Sequence, residues 1–325
     1  MLTYIGQAIL HTVIAATFVE ALLRVWRLED SGTRLGYRLL SLVLPLVTLP
    51  LFWLVAPFRW APWFSERWAL LSTERWAQVR VGGVGIDLVA LAVLALLGTG
   101  LFLLDFLRAL RTWIVDRSLP PASGDAAGVD YARVEVGRLA HRLRMRPPSV
   151  RFVESDTPVL LCSGLIRMQL VVSTRALRTL DGRQARAALA HELIHAQYRD
   201  PLLGWFLMAI RIALFFSPAT QLVARASVGE MERRADDGSV ALTGDRLDMA
   251  RALVRLFTAQ HTVPTRTAGG PARIGAWLRI GRTASIERRC HRLLSPRHPR
   301  QPFPLEGPRW VVAGISLAVL LFFVV

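Results

Sequence analysis

His191 and His195 stand four residues apart in Ala190-His191-Glu192-Leu193-Ile194-His195, with Glu192 between them. On an α-helix, side chains at i and i+4 lie one above the other, so both imidazoles can converge on one metal ion. Glu192 projects beside them, placed to take a proton from an attacking water. A catalytic zinc usually has three protein ligands and an open fourth position. The best source of the third is Glu230-Met231-Glu232-Arg233-Arg234-Ala235-Asp236-Asp237. Glu232 and Asp236 are again four apart and share a helix face. Glu232 can bind the metal while Asp236 accepts the outer N–H of a ligand histidine and fixes its tautomer. Glu230, two residues away, points elsewhere. A chance match and a solvated charged helix are the plain alternatives. The two motifs together favour one Zn²⁺ per chain.

These residues need a helix to carry them. Arg186 to Ala190 are strong helix formers, Asp181 or Thr179 can cap the start, and Pro201 requires an end near Arg199. Upstream, a Pro/Gly/Ser linker runs from Leu119 to Gly128. A helical pattern follows, with Val134, Leu139 and Leu143 apolar, and Arg146-Pro147-Pro148 stops it. Val150 to Val153 and Leu170 to Val172 look like short strands, joined by Pro158 to Gln169 with Gly164 at a turn. Gln169 to Val172 is expected to offer an edge to an extended peptide, with an ordinary core strand as the alternative.

The rest of the chain points to a membrane. Of 325 residues, 53% are hydrophobic, too many for an ordinary pair of soluble domains. The formal charge of +16 comes from arginine alone, since lysine is absent. No finger, helix-turn-helix or RNA-binding signature accompanies the arginines, so direct nucleic-acid binding is not expected. Cys162 and Cys290 have neither metal-ligand spacing nor the numbers for a disulfide framework.

Tyr4 to Leu23, Leu39 to Val55 (with Pro45 and Pro50 as kinks) and Val84 to Leu107 read as three spans. A loop with Trp53, Trp60, Trp63, Trp68 and Trp76 fits a membrane interface, with a short helix lying on it. Trp310 to Val325 reads as a fourth span after a basic approach with Arg292, Arg297, Arg300 and Arg309. Arg24, Arg27, Arg34 and Arg38 follow the first span, and Arg108, Arg111 and Arg117 end the third. The positive-inside rule puts both of those segments in the cytoplasm and the N-terminus outward. The expected organisation is a membrane domain over 1–110, a cytoplasmic metallopeptidase domain over 111–308, and a closing transmembrane helix over 309–325. Leu202 to Phe216 is also apolar apart from Arg211. A single crossing there would part Glu232 from the histidines, so 202–216 is expected to associate with the membrane or to be a buried helix.

The chain resembles the BlaR/MecR-type membrane metallopeptidases, gluzincins in which HExxH is followed by a Glu-x-x-x-Asp helix. The matching pieces are HELIH with Arg199-Asp200 after it, Phe215-Phe216-Ser217-Pro218, EMERRADD, and Ala241-Leu242-Thr243-Gly244-Asp245. Ile286 to Leu294 is similar to the family's arginine-rich closing helix. Glu232-Arg233-Arg234-Ala235-Asp236 fits the related HtpX/CAAX-protease family equally well. The resemblance implies a mainly α membrane protein carrying an α+β zincin-like metallopeptidase domain on four transmembrane helices. It also implies an integral protein of the bacterial inner membrane. Beta-lactam sensors of this type continue beyond the fourth span into a penicillin-binding sensor. The sequence stops at Val325, so the resemblance does not extend to beta-lactam sensing.

The expected activity is that of a zinc endopeptidase with His191, His195 and Glu232 as ligands, Glu192 as base and Asp236 behind a histidine. Oxyanion or substrate contacts are sought among Tyr198, Arg288, Arg289 and His291. The substrate is expected to be a cytoplasmic or membrane-bound protein, such as a transcriptional repressor in regulated proteolysis. The alternatives are a HtpX-like quality-control protease and, from another class, a non-proteolytic receptor or scaffold. His11 is expected to pack between helices, and His141, His261 and His298 receive no role.

Overall fold

The computed structural model describes residues 2–70, 80–81, 84–122, 128–261, 285–295 and 307–324. Trp76, part of the expected linker (123–127), Arg297 and Arg300 lie outside them. The chain divides into two compact units. One comprises Met1–Trp113, Trp205–Glu230 and Gln301–Val325, and the other Ile114–Gly204 and Met231–Arg300.

The first unit contains three helices long and apolar enough to cross a membrane, over Ile5–Val25, Ser31–Val55 and Val89–Leu107. Two boundaries differ from expectation. The second helix starts at Ser31 rather than near Leu39, because Asp30 caps it by accepting the Thr33 N–H at 2.6 Å. Arg34 and Arg38 therefore belong to the helix. The third starts at Ile86, preceded by a small hairpin of β1 (Arg80–Val81) and β2 (Val84–Gly85). Trp60 and Trp63 sit in a 3-10 turn, Pro57–Trp60, and a short helix, Pro62–Arg67, and both are exposed. The last helix, Gly307–Phe322, has 16 residues, about 24 Å of rise.

Apolar packing of Val19, Leu23, Tyr37, Leu40, Leu317 and Leu321 forms the core of this unit. Several of its buried polar groups are paired, as burial favours. His11 Nε2 meets the Val324 carbonyl at 2.9 Å, a packing contact. Arg59 donates to the Leu321, Phe322 and Val324 carbonyls, which the end of a helix leaves unsatisfied. Glu230 is fully buried and paired with Arg34 and Arg38, and Arg38 also reaches Glu20. Asp105 binds both Arg211 and Arg225 at 2.7 Å.

The helix Asp200–Ala213 has 14 residues, about 21 Å of rise against roughly 30 Å of bilayer hydrocarbon. Leu207 and Ile210 are buried, whereas Leu202, Trp205, Phe206 and Ile212 form an exposed apolar face.

The second unit contains a three-stranded sheet of β3 (Ser149–Val153), β4 (Leu160–Ser163) and β5 (Gln169–Ser173). The order is β3-β5-β4, with β3 parallel and β4 antiparallel to β5. This corrects the expectation for Gln169 to Val172. That strand is central, with both edges already paired, and the edge strand is β4. Leu160-Leu161-Cys162-Ser163 lacks both alternation and β-branched residues, so no strand signal marks it. Gly164 does make the turn between β4 and β5. Its φ is +107°, and a Cβ there would stand 2.1 Å from the Arg167 carbonyl oxygen.

Helices pack on this sheet. The histidine helix, Gly182–Gln197, contributes Leu189 and Leu193 to a core with Leu139, Leu170 and Val172. Asp181 caps it, accepting from the Arg183 and Gln184 N–H groups while Gln184 reaches back to the Asp181 N–H. The acidic helix, Pro218–Thr243, brings its C-terminal part to this unit. Among the described residues, Val129–Arg142, Thr174–Thr179, Arg246–His261 and a short helix over residues 285–294 also belong to it.

Candidate functional site

Of the 16 residues of the histidine helix, all but Gly182, Arg183 and Gln197 are buried or half-buried, and what matters chemically is the turn containing His191 and His195. Their Nε2 atoms face each other at 3.1 Å. Glu232 comes from the acidic helix, with Oε2 3.6 Å from His191 Nε2 and Oε1 3.6 Å from His195 Nε2. The two outer nitrogens are backed by carboxylates. His195 Nδ1 lies 2.7 Å from Asp200 Oδ2, and His191 Nδ1 lies 3.2 Å from Asp236 Oδ1. With each Nδ1 carrying its proton toward a carboxylate, both Nε2 lone pairs point into the same space.

That donor set fits a tetrahedral cation. Bonds of about 2.0–2.1 Å put neighbouring ligand atoms roughly 3.3 Å apart, close to the separations of 3.1 and 3.6 Å. Two facing nitrogen acceptors repel unless a cation or a proton lies between them. The electrostatics favour positive charge in the same place. Burial would lower the His191 pKa, but the Asp236 and Glu232 carboxylates push it up to about 10. Burial would raise Glu232, yet His191 and the Arg289 guanidinium hold it well below the usual carboxylate range. Asp236 is likewise lowered, against its burial, by His191 and Arg289. His191, His195 and Glu232 are thus a group able to hold a metal ion.

Glu192 differs from the other carboxylates. Burial pushes its pKa up, the two histidine charges pull it down, and Glu232 adds to the rise. It also hydrogen-bonds the backbone of Cys162 on β4. The cavity in front has a volume of about 440 Å³. His191, Glu192, His195 and Glu232 line one part, and Met249, Leu253, Leu256, Phe257 and Ile286 line another. Leu160, Leu161 and Cys162 of the edge strand border it as well.

The profile of the BlaR1 peptidase M56 family matches residues 7–274. The chain belongs to that family. It is also similar to protease HtpX homologs from several organisms. The one from Acidiphilium cryptum is 26% identical over 193 residues, 48% of this chain and 67% of that protein. The one from Methylibium petroleiphilum is 25% identical over 176 residues, 44% of this chain and 62% of that protein. The one from Aeropyrum pernix is 30% identical over 135 residues, 41% of this chain and 42% of that protein. The matched segments thus span about two thirds or less of these relatives. Family and relatives agree on a protease, and the three long apolar helices agree with a membrane protein.

The remaining candidates of this M56 chain fall in different places. Tyr198 is exposed, with its ring centre 3.9 Å from the Arg234 guanidinium carbon. His291 is exposed and lies 3.4 Å from Ser295 Oγ, and Arg288 is exposed too. None of the three lines the cavity, whereas Arg289 does. Arg289 is already committed. Nε and Nη2 grip Asp236 at 3.0 and 2.6 Å, and Nη1 meets Glu232 at 2.8 Å. In this arrangement it holds carboxylates rather than offering a free donor.

Sequence reasoning gave no role to Asp200 or Arg234. Asp200 sits five residues after His195, a spacing without helical meaning. Arg199 between them adopts a left-handed φ of +53°, which turns the chain so that Asp200 returns beneath the histidine. A non-glycine residue in that conformation leaves no mark in the sequence.

Proposed function

We propose that this protein is a membrane-embedded zinc endopeptidase. The observation that carries the reading is the convergence of His191, His195 and Glu232 at tetrahedral spacing with Glu192 beside them. Zn²⁺ bound there would supply Lewis acidity, polarising the scissile carbonyl and making water a better nucleophile. Glu192 takes the proton from the attacking water and passes it to the leaving amine. Its raised pKa suits both duties, since a base nearer neutrality can also give the proton back. Asp236 holds His191 with its Nδ1 proton outward, leaving Nε2 free. A substrate strand would pair with the outer edge of β4, which borders the cavity and carries Cys162 beside Glu192.

The arginines that flank the turn between the first two helices, and those after the third span, favour a cytoplasm-facing site, with the N-terminus outward and the last helix as a fourth span in a bacterial inner membrane. The exposed apolar face of Asp200–Ala213, too short to cross, suits a helix dipping into the bilayer. The substrate would be a cytoplasmic or membrane-bound protein, a transcriptional repressor in regulated proteolysis being the leading case. A second reading, a HtpX-like quality-control protease, draws on the similarity to HtpX homologs. A receptor or scaffold that does not cleave is disfavoured by the intact base and ligand set.

The test compares wild type with Glu192→Gln on labelled casein. The variant should keep its metal and lose cleavage. Full cleavage by the variant would contradict the mechanism.

A further inference from the structure

Each candidate ligand histidine is backed by an aspartate, and each aspartate by an arginine. On the His191 side, Asp236 is gripped by Arg289. On the His195 side, Asp200 Oδ2 takes the Nδ1 contact at 2.7 Å, and its other oxygen, Oδ1, accepts from Arg234 Nη2. Asp200 is only 3% exposed, so its charge has little water to screen it. The two arrangements are alike in connectivity although built from different elements. Asp200 begins the helix that follows the histidines, whereas Asp236 lies on the acidic helix itself.

We propose that Asp200 and Arg234 are positioning residues for His195, forming an Arg234–Asp200–His195 relay that sets the orientation of the imidazole and the strength of Nε2 as a ligand. This rests on the reading of His191, His195 and Glu232 as a metal centre. The carboxylate fixes the tautomer with the proton on Nδ1, so Nε2 presents its lone pair. Arg234 in turn fixes the carboxylate. It lies two residues from Glu232 on the same helix, on a different face, and reaches back to a residue five beyond His195. One helix therefore supplies a candidate ligand directly and steers another through Asp200. The Arg234 guanidinium carbon stands over the Tyr198 ring, 3.9 Å from its centre, which gives that exposed ring a supporting place in the relay. Tyr198 and Asp200 flank the left-handed Arg199, so the turn that ends the histidine helix presents both partners of Arg234.

The test uses the purified full chain in detergent and measures Zn²⁺ affinity by competition with a chromophoric chelator, together with the visible spectrum of the Co²⁺-substituted protein. Asp200→Asn keeps the shape but removes the charge. It should weaken Zn²⁺ about 10- to 100-fold, the usual cost of losing such a partner, and shift the Co²⁺ bands. Arg234→Gln should give a smaller change in the same direction, and Arg234→Lys should recover part of it. Wild-type affinity and spectrum in Asp200→Asn would overturn the relay while leaving the metal centre standing. If Asp200→Asn does not fold, Arg234→Gln decides, and wild-type behaviour there overturns it. A wild-type protein that binds no metal would overturn the metal centre itself and the relay with it.

Discussion

Gly238 faces Ile194 so closely that a Cβ on the glycine would stand 2.8 Å from both Cγ1 and Cδ1 of the isoleucine. Ile194 lies between the two histidines and Gly238 lies six residues beyond Glu232, so this contact sets how near the acidic helix comes to the histidine helix. A β-branched side chain on a helix has one favoured χ1 and cannot swing aside freely. Gly238→Ala should therefore push the helices apart, destabilise the protein by about 1–3 kcal/mol, and weaken metal binding several-fold. Adding Ile194→Ala should relieve part of the clash. Chemical unfolding and chelator competition on the single and double variants check this; an unperturbed Gly238→Ala protein would count against the contact.

Glu230 and Glu232 should separate stability from metal binding. Glu230 is fully buried against Arg34 and Arg38, and removing one partner of a buried ion pair costs about 3–5 kcal/mol. Glu230→Ala is expected to lower the unfolding midpoint strongly. Glu232→Ala is expected to unfold near the wild-type, metal-free midpoint while losing metal. Thermal unfolding of both variants, with and without chelator, distinguishes them.

Asp181 should matter to the fold alone. It closes a capping box at the start of the histidine helix, more than two turns from His191. Asp181→Ala is expected to cost about 1 kcal/mol and to leave the affinity for Zn²⁺ unchanged. A large loss of affinity would mean that fraying at the cap reaches the site.

Chelation should itself destabilise the wild type. A ligand that binds only the folded chain adds RT ln(1 + [L]/Kd), about 2.7 kcal/mol at one hundred times Kd. Removing Zn²⁺ with a chelator is expected to lower the melting temperature of wild type and not that of His195→Ala. Equal effects on both would place the chelator's action elsewhere.

Much of this was legible in residue order because helices preserve it. The four-residue spacings of His191 with His195 and Glu232 with Asp236 translate directly into shared faces. Asp181 before a helix-forming run and Gly164 between strands also carry local signals with one structural meaning. What escaped depends on tertiary contact. The strand at Leu160 exists because β5 pairs with it, and its own residues show no alternation. Asp200 reaches His195 only through the left-handed turn at Arg199. Arg289 and Arg288 are neighbours in sequence and indistinguishable by type, and packing of the short helix decides which one faces Glu232 and Asp236.

The central claim is that His191, His195 and Glu232 together hold one catalytic zinc. Elemental analysis of the purified protein tests it most directly. The account predicts close to one zinc per chain in wild type and in Glu192→Gln, and little in His195→Ala. Equal metal content in wild type and His195→Ala would contradict it.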